Sequence, residues 1–313
     1  MNFRVIVAAT RLALASLVVA SCGGSDSTSP PGGAIWTGVP SGTTQFLNAV
    51  TGTAASDVWT VGAAGTILHY NGSAWAPSTS GTTAILYGVW AASSADVWAV
   101  GQNSTLLHYN GTAWSSVTPP IAGQTLNSVW GSGPGDVWAV GNNRLILHYN
   151  GSSWSTTASG GTSLLFNIWG RSASDVWAVG YDPNTPQAVI MHYAGTSWQP
   201  VTVSSANFLT GVWGSSASDV WAVGSTGTTL HYNGTGWSSA VSGTVQDLFA
   251  VWGSAASNIW AVGSNGAVDR YDGSSWTYQP NGTVHRYGVW GSSATDVWVV
   301  GGAGAIFHLS PAN

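Results

Sequence analysis

The chain has no glutamate and no lysine, and charged residues make up 5% of its 313 positions. Its cations are 6 arginines and its anions 11 aspartates, for a formal net charge of −5. That balance excludes nucleic-acid binding, which calls for clustered lysine and arginine. A single cysteine, Cys22, excludes a disulfide within the chain. Past residue 21 no apolar run approaches the ~20 residues needed to cross a bilayer as a helix. What the chain has in abundance is glycine, 42 residues, and tryptophan, 20. So many indoles, with so little charge to solubilise them, must be buried in a folded core.

Residues 1–21 read as a secretory signal, with Arg4 and Arg11 ahead of a short apolar run, LALASLVVA, that ends in small residues. Val19-Ala20-Ser21-Cys22 resembles a bacterial lipobox, which implies a lipid-modified Cys22 as the first mature residue. The alternative is an ordinary signal peptide followed by an incidental cysteine. Residues 22–33, including GGSDSTSPPGG, read as a flexible tether. The lipobox resemblance, with Gly23 and Gly24 rather than an Asp directly after Cys22, favours a bacterial cell-envelope protein anchored to the outer membrane.

Residues 34–313 form one repeating domain. The triplet Asp-Val-Trp or its variant begins at Asp57, Asp96, Asp136, Asp175, Asp219, Asn258 and Asp296, at steps of 39, 40, 39, 44, 39 and 38 residues. Each copy splits into four short apolar runs. In the second copy these are Leu86 to Trp90, Asp96 to Val100, Thr105 to Tyr109, and a run starting near Trp114. Asn110-Gly111 supplies the positive-φ pair of a tight hairpin turn. The pattern predicts an all-β, seven-bladed propeller with four antiparallel strands per blade. A helical repeat is excluded, because the runs are too short and are interrupted by Gly every few residues.

The ends predict a closed ring. The last copy stops at Phe307-His308-Leu309 without a fourth strand, whereas Ala34 to Gly42 matches a fourth strand without the three before it. The N-terminal strand therefore completes the last blade and leaves no loose end. The 20 tryptophans fall into three columns: six end strand one (Thr51 holds the seventh place), seven lie in strand two, and seven open strand four. At such regular positions they are expected to pack between blades.

The cadence of SDVWAVGSTGTTLHYNGTGW, residues 218–237, resembles repeats of bacterial propellers related to the photosystem II assembly factor family. More distantly it resembles the Asp-box repeats of sialidase-like propellers. The resemblance covers Ala34 to Leu309 and specifies fold rather than activity. The arginine cluster, tyrosine and glutamate of sialidase chemistry cannot be assembled here, since Glu is absent and four arginines follow the signal.

Six copies pair an Asp with a His: Asp57 and His69, Asp96 and His108, Asp136 and His148, Asp175 and His192, Asp219 and His231, and Asp296 and His308. The separation is 12 residues except after Asp175, where an insertion makes it 17. In a tight hairpin the two are expected opposite each other on one face, as a buried hydrogen-bonded staple. Six identical dyads on a ring are not six active sites, and repetition spreads their side chains too widely to hold a metal. The seventh copy changes both partners, to Asn258 and Arg270, and also gains Asp269 where the others have Leu, Met or Phe. That joint change predicts a rewired structural contact.

Function is sought where the copies differ. The turns between strands two and three, and the links into the next blade, emerge on one face. Arg144, Tyr181, Asp182, Asp247, His285 and Arg286 collect there, with Gln45, Gln124 and Asn207 beside them. Arg286 replaces the Leu of the other six copies, and the insertion at residues 181–187 extends the same face. The opposite face is Ser, Ala and Gly, apart from Arg171. The leading expectation is a monomeric, non-enzymatic platform that binds an envelope protein on the varied face and needs no cofactor or metal. A carbohydrate-binding propeller recognising a surface glycan is a second reading, although the loops are poor in aromatics apart from Tyr181. A hydrolase or lyase using Asp247, His285 and Arg286 as acid or base and anion clamp is a third.

Overall fold

The computed structural model describes residues 34–158, 160–203 and 207–311. The expected signal, Cys22 and the tether lie outside them. Twenty-eight strands form seven antiparallel sheets of four. Blade 1 consists of β2 (Leu47–Ala54), β3 (Asp57–Gly62), β4 (Ile67–Tyr70) and β5 (Trp75–Pro77) in sequence order. The chain continues in that manner around the ring. Among the described residues no helix is long and apolar enough to cross a membrane.

The last blade is closed as the ends of the sequence predict. β26 (Arg286–Ser293), β27 (Asp296–Gly301) and β28 (Ile306–Ser310) are joined by β1 (Ile35–Val39). β1 pairs antiparallel with β28 from Ile35↔Ser310 to Val39↔Ile306.

Seven apolar clusters fill the seams between blades. Strand two supplies their centre. Trp59, Trp98, Trp138, Trp177, Trp221, Trp260 and Trp298 are each at most 3% exposed. The Gly that ends this strand is sterically required. A Cβ at Gly62 would overlap the carbonyl oxygen of Phe46, and the same clash recurs at Gly101, Gly141, Gly180, Gly224, Gly263 and Gly301. The close approach lets the residue after that Gly donate its N–H to the same carbonyl, as Ala63 does to Phe46 at 2.8 Å.

Strand one carries a second knob. The Trp90 ring lies where a Cβ on Gly131 would come within 2.6 Å of it, so that Trp fits against a bare backbone of the following blade. The same holds for Trp130 on Gly170, Trp169 on Gly214, Trp213 on Gly253, Trp252 on Gly291 and Trp290 on Gly52. Where the Trp is missing, at Thr51, the matching residue of the next blade is Ala91 rather than Gly. Knob and hole therefore change together within one chain.

Candidate binding face

Each Asp–His pair lies within one blade, beside the seam with the next. Each His Nε2 donates to Asp Oδ1 at 2.5–2.8 Å in all six copies. The residues are not directly opposite, as expected from their spacing, but diagonal: His69 faces Trp59, and Asp57 is two residues before that Trp on the same side. The imidazole therefore lies flat on the indole, with centroids 3.8–4.2 Å apart in the six copies. Beyond it, Trp59 meets Tyr109 and Trp114 of the next blade at 4.9 and 5.6 Å. The carboxylate thus orients a plate against which the seam packs.

In four of the copies the second carboxylate oxygen is also committed. Ser132 donates to Asp136 Oδ2 at 2.6 Å, and Thr53, Ser215 and Ser292 donate to Asp57, Asp219 and Asp296 in the same way. These hydroxyls contact Asp and not His, so the copies make no Ser–His contact of the kind that pairs a nucleophile with an imidazole base. At Asp296, burial works against ionisation. The hydrogen bonds from His308 and Ser292 outweigh it and hold the carboxyl below its ordinary range.

The rewired copy keeps the plan with other atoms. Arg270 Nε donates to Asn258 Oδ1 at 3.1 Å, Asn258 Nδ2 donates to Ser254 at 2.9 Å, and the guanidinium sits 5.5 Å from the Trp260 ring centre. Arg replaces His as the plate, through cation–π contact. Asp269 turns the other way and is fully buried. Its Oδ2 accepts the Gly243 N–H at 2.9 Å, while Oδ1 has no partner among the described residues. Burial pushes its carboxyl up to about 6, despite the Gly243 hydrogen bond.

On the varied face, links and two-three turns interlock. Thr226 N donates to Asp247 Oδ1 at 2.8 Å, Asn265 N donates to His285 Nδ1 at 3.1 Å, and Arg144 N donates to the Ser163 carbonyl at 2.7 Å. The donors Thr226, Asn265 and Arg144 all have φ between 52 and 56°, the left-handed region that side chains disfavour, so these bonds hold costly turns in place. Asn143 and Asn207 make the same kind of link–turn bond, to Gln124 at 2.7 Å and to Thr226 at 3.0 Å.

In the extended hairpin of β15 (Asp175–Asp182) and β16 (Gln187–Tyr193), Asp182 accepts from Thr162 at 2.8 Å and from Asn184 N at 2.9 Å. The little burial it has works against ionisation, but these hydrogen bonds prevail and keep its carboxyl low. Arg144 reaches Met191 Sδ at 3.9 Å across the same link and makes no ion pair with Asp182 among the described residues.

Arg286 is a correction to the sequence reading. It is 1% exposed, lies with its guanidinium carbon 3.9 Å above the Phe307 ring centre, and donates through Nη2 to the Asn281 carbonyl. Burial pushes its guanidinium down to about 10. Leu47, Leu86, Leu126, Leu165, Leu209 and Leu248 occupy this column at 0% exposure, and the arginine follows its position rather than its charge. Asp247, His285 and Arg286 therefore turn to three separate partners, Thr226, Asn265 and Asn281.

The expectation that this face is poor in aromatics is also corrected. Phe249 lies 5.7 Å from Tyr287 and 6.4 Å from His285, and Phe46 lies 6.3 Å from Tyr287. Tyr181 meets Phe208 edge-on at 5.8 Å. Phe46, Phe208, Phe249 and Tyr287 flank or occupy the starts of strand one, where they read as core strand. Tyr87, Phe249 and Tyr287 line a central channel of about 170 Å³ together with Asn48, Asn127 and Asn167. Among the described residues no three His, Cys, Asp or Glu side chains group as metal ligands would.

With this geometry in view, solved structures supply the fold's relatives. YCF48 bound to D1 peptide superimposes with a TM-score of 0.72 at 18% identity, over 88% of this chain and 96% of that one. YCF48 from Cyanidioschyzon merolae gives 0.72 at 16%, over 89% and 99%. The virginiamycin B lyase of Staphylococcus aureus gives 0.76 at 14%, over 88% and 98%. The shared property is the propeller. No family model and no curated protein sequence matches the chain.

Proposed function

We propose that the chain is a non-enzymatic binding platform that takes a protein segment on its varied face, around the mouth of the channel. The asymmetry between the two faces carries the reading. One face gathers Arg144, Tyr181, Asp182, Asp247 and His285 with the Phe46, Phe249 and Tyr287 group, a mixture of aromatic anchors and oriented polar groups that suits peptide recognition. On the other, Gly72 lies against Ser56, Gly111 against Ala95 and Gly234 against Ser218, which leaves small side chains to make contact. Support from outside the chain is limited to a propeller of the same fold, YCF48, that binds a peptide. Lipid attachment at Cys22 and placement at a bacterial outer membrane belong to the same proposal and rest on the Val19 to Cys22 motif alone.

A photo-crosslinking residue placed at Phe249 or at Ser56 tests the platform. A discrete protein adduct is expected from Phe249 and none from Ser56, with the Phe249 adduct lost on Asp247→Ala. Equal labelling from both faces would refute the assignment. Mass spectrometry of the mature N-terminus tests the anchor, with a diacylglyceryl Cys22 expected and an unmodified Cys22 refuting it.

A further inference from the structure

Three links between blades carry Ser-Gly-Thr, at residues 41–43, 80–82 and 242–244. Their outer bonds are alike. Ser41, Ser80 and Ser242 donate to the carbonyls of Thr43, Thr82 and Thr244 at 3.1, 3.2 and 2.7 Å. The glycines differ. Gly42 and Gly81 are left-handed, with φ of 73 and 74°, and a Cβ on either would meet nothing within 4 Å. Gly243 is not left-handed, and a Cβ on it would come within 2.5 Å of Asp269 Oδ1 and 2.6 Å of the Tyr278 nitrogen. The cause lies in the blade that each link enters. Leu68 and Leu107 stand where blade 6 has Asp269, and a leucine offers no acceptor for the N–H that Gly243 donates to Asp269 Oδ2 at 2.9 Å. One short sequence thus has two link conformations, and the residue in this column selects between them.

A carboxyl makes that choice depend on charge. Asp269, on β24 (Val268–Tyr271), is fully buried, and its Oδ1 has no partner among the described residues. Held against Gly243 it loses water from both oxygens and gains one hydrogen bond, so ionisation is disfavoured in place and favoured on release. Around it, β23 (Asn258–Gly263) pairs Ala261 with it, β25 (Trp276–Tyr278) pairs Tyr278 with it, and blade 5 contributes Trp221, Val223 and Ala240 to the seam. Tyr278 and Tyr271 are the ionisable residues on its side of the sheet. The charged groups nearby have other partners: Asp219 binds His231, Arg270 binds Asn258, and Asp272 accepts the Ser274 N–H of its own turn. Burial, opposed by the Gly243 N–H alone, sets the Asp269 carboxyl at about 6. The link that it holds displays Val241 and Val245, 90% and 81% exposed, and leads into Asp247, which accepts the Thr226 N–H.

We infer that Asp269 is a latch on the link between blades 5 and 6, closed while protonated and released on ionisation, when Gly243 takes the left-handed turn of its siblings. The latch sets how Val241, Val245 and Asp247 are presented on the varied face, and for that use alone it rests on the platform reading above. With the carboxyl titrating at about 6 when latched and near 3.8 when free, release should be about twentyfold more frequent at pH 7.5 than at pH 4.5. Amide hydrogen exchange of the full chain, corrected for its intrinsic pH dependence, reads this without any partner, so the latch and the platform fail independently. Protection of the Gly243 amide should fall about twentyfold from pH 4.5 to pH 7.5, while the β23 amides keep theirs. Asp269→Asn, neutral throughout and still able to accept the Gly243 N–H, should keep that amide protected at both pH values. Asp269→Leu, which brings in the residue of blades 1 and 2, should leave it unprotected at both. Equal Gly243 protection at the two pH values in the native chain, the native pH dependence in Asp269→Asn, or a parallel loss through β23 would each overturn the latch.

Discussion

Asp269 should make this propeller more stable in mild acid than at neutral pH, against the usual trend for acidic groups in folded proteins. The side chain is fully buried among residues of the blade 5–6 seam, in a column that holds Leu, Met or Phe in the other copies. Its carboxyl titrates at about 6 rather than at 3.8, and burial is the main cause. A carboxyl whose pKa is raised on folding binds its proton more tightly in the folded state. Its effect is therefore absent below about pH 4, grows as the pH rises from 4 to 6, and persists above as a constant penalty. A shift of roughly two units corresponds to about 3 kcal/mol at full development. Urea unfolding of the native chain and of Asp269→Leu at pH 7.5 and pH 4.5 measures it directly. At pH 7.5 the Leu variant should be more stable by about 3 kcal/mol, and at pH 4.5 most of that gap should be gone. A gap that stays constant between the two pH values, or that widens in acid, would show that Asp269 is charged and satisfied in the folded state.

The remaining predictions concern the seams. Arg286→Leu should restore the column found in the other six blades and stabilise the ring by about 1–4 kcal/mol, read as a higher urea midpoint. Thr51→Trp alone should clash with the Cβ of Ala91 and cost about 1–3 kcal/mol, whereas Thr51→Trp with Ala91→Gly should recover it, a coupling that a double-mutant cycle reads out. Asp219→Ala should cost about 1–3 kcal/mol, because the His231 Nε2–H and the Ser215 hydroxyl both lose their acceptor. A thermal midpoint unchanged from the native value would refute the staple.

The fold was legible because every blade repeats the same solution, so period and the unequal ends agree. The Asn-Gly turns sit where expected, but only the Gly takes positive φ, 89° at Gly111, and Asn110 does not. The Asp–His contact was legible from spacing and from the joint change to Asn258 and Arg270. Spacing alone does not set register, however, and the two-residue offset that places Trp59 rather than Asp57 opposite His69 emerged only from the strand pairing. Arg286 misleads when read by residue type. The sequence did contain the better signal, since a position that is Leu in six copies is a core position whatever occupies it in the seventh. Phe46, Phe249 and Tyr287 escaped notice for the converse reason. Aromatics at strand ends look like core in a one-dimensional pattern, and only ring closure brings residues from blades 1, 6 and 7 to one mouth.

The pairing of β1 with β28 ties the first strand to the last, with Thr37 and His308 in hydrogen-bond contact across 271 positions of chain. During synthesis or export, blades 1 to 6 can form in turn as each emerges, because their strands are neighbours in sequence. Blade 7 cannot. Its outer strand is made first and must wait, unpaired, until the other three arrive. Such a distant contact is slow to form and exposes a strand edge until it does. Ring closure is thus the event that commits the whole chain, and a truncation of β28 should leave six blades and two open edges instead of a slightly smaller propeller.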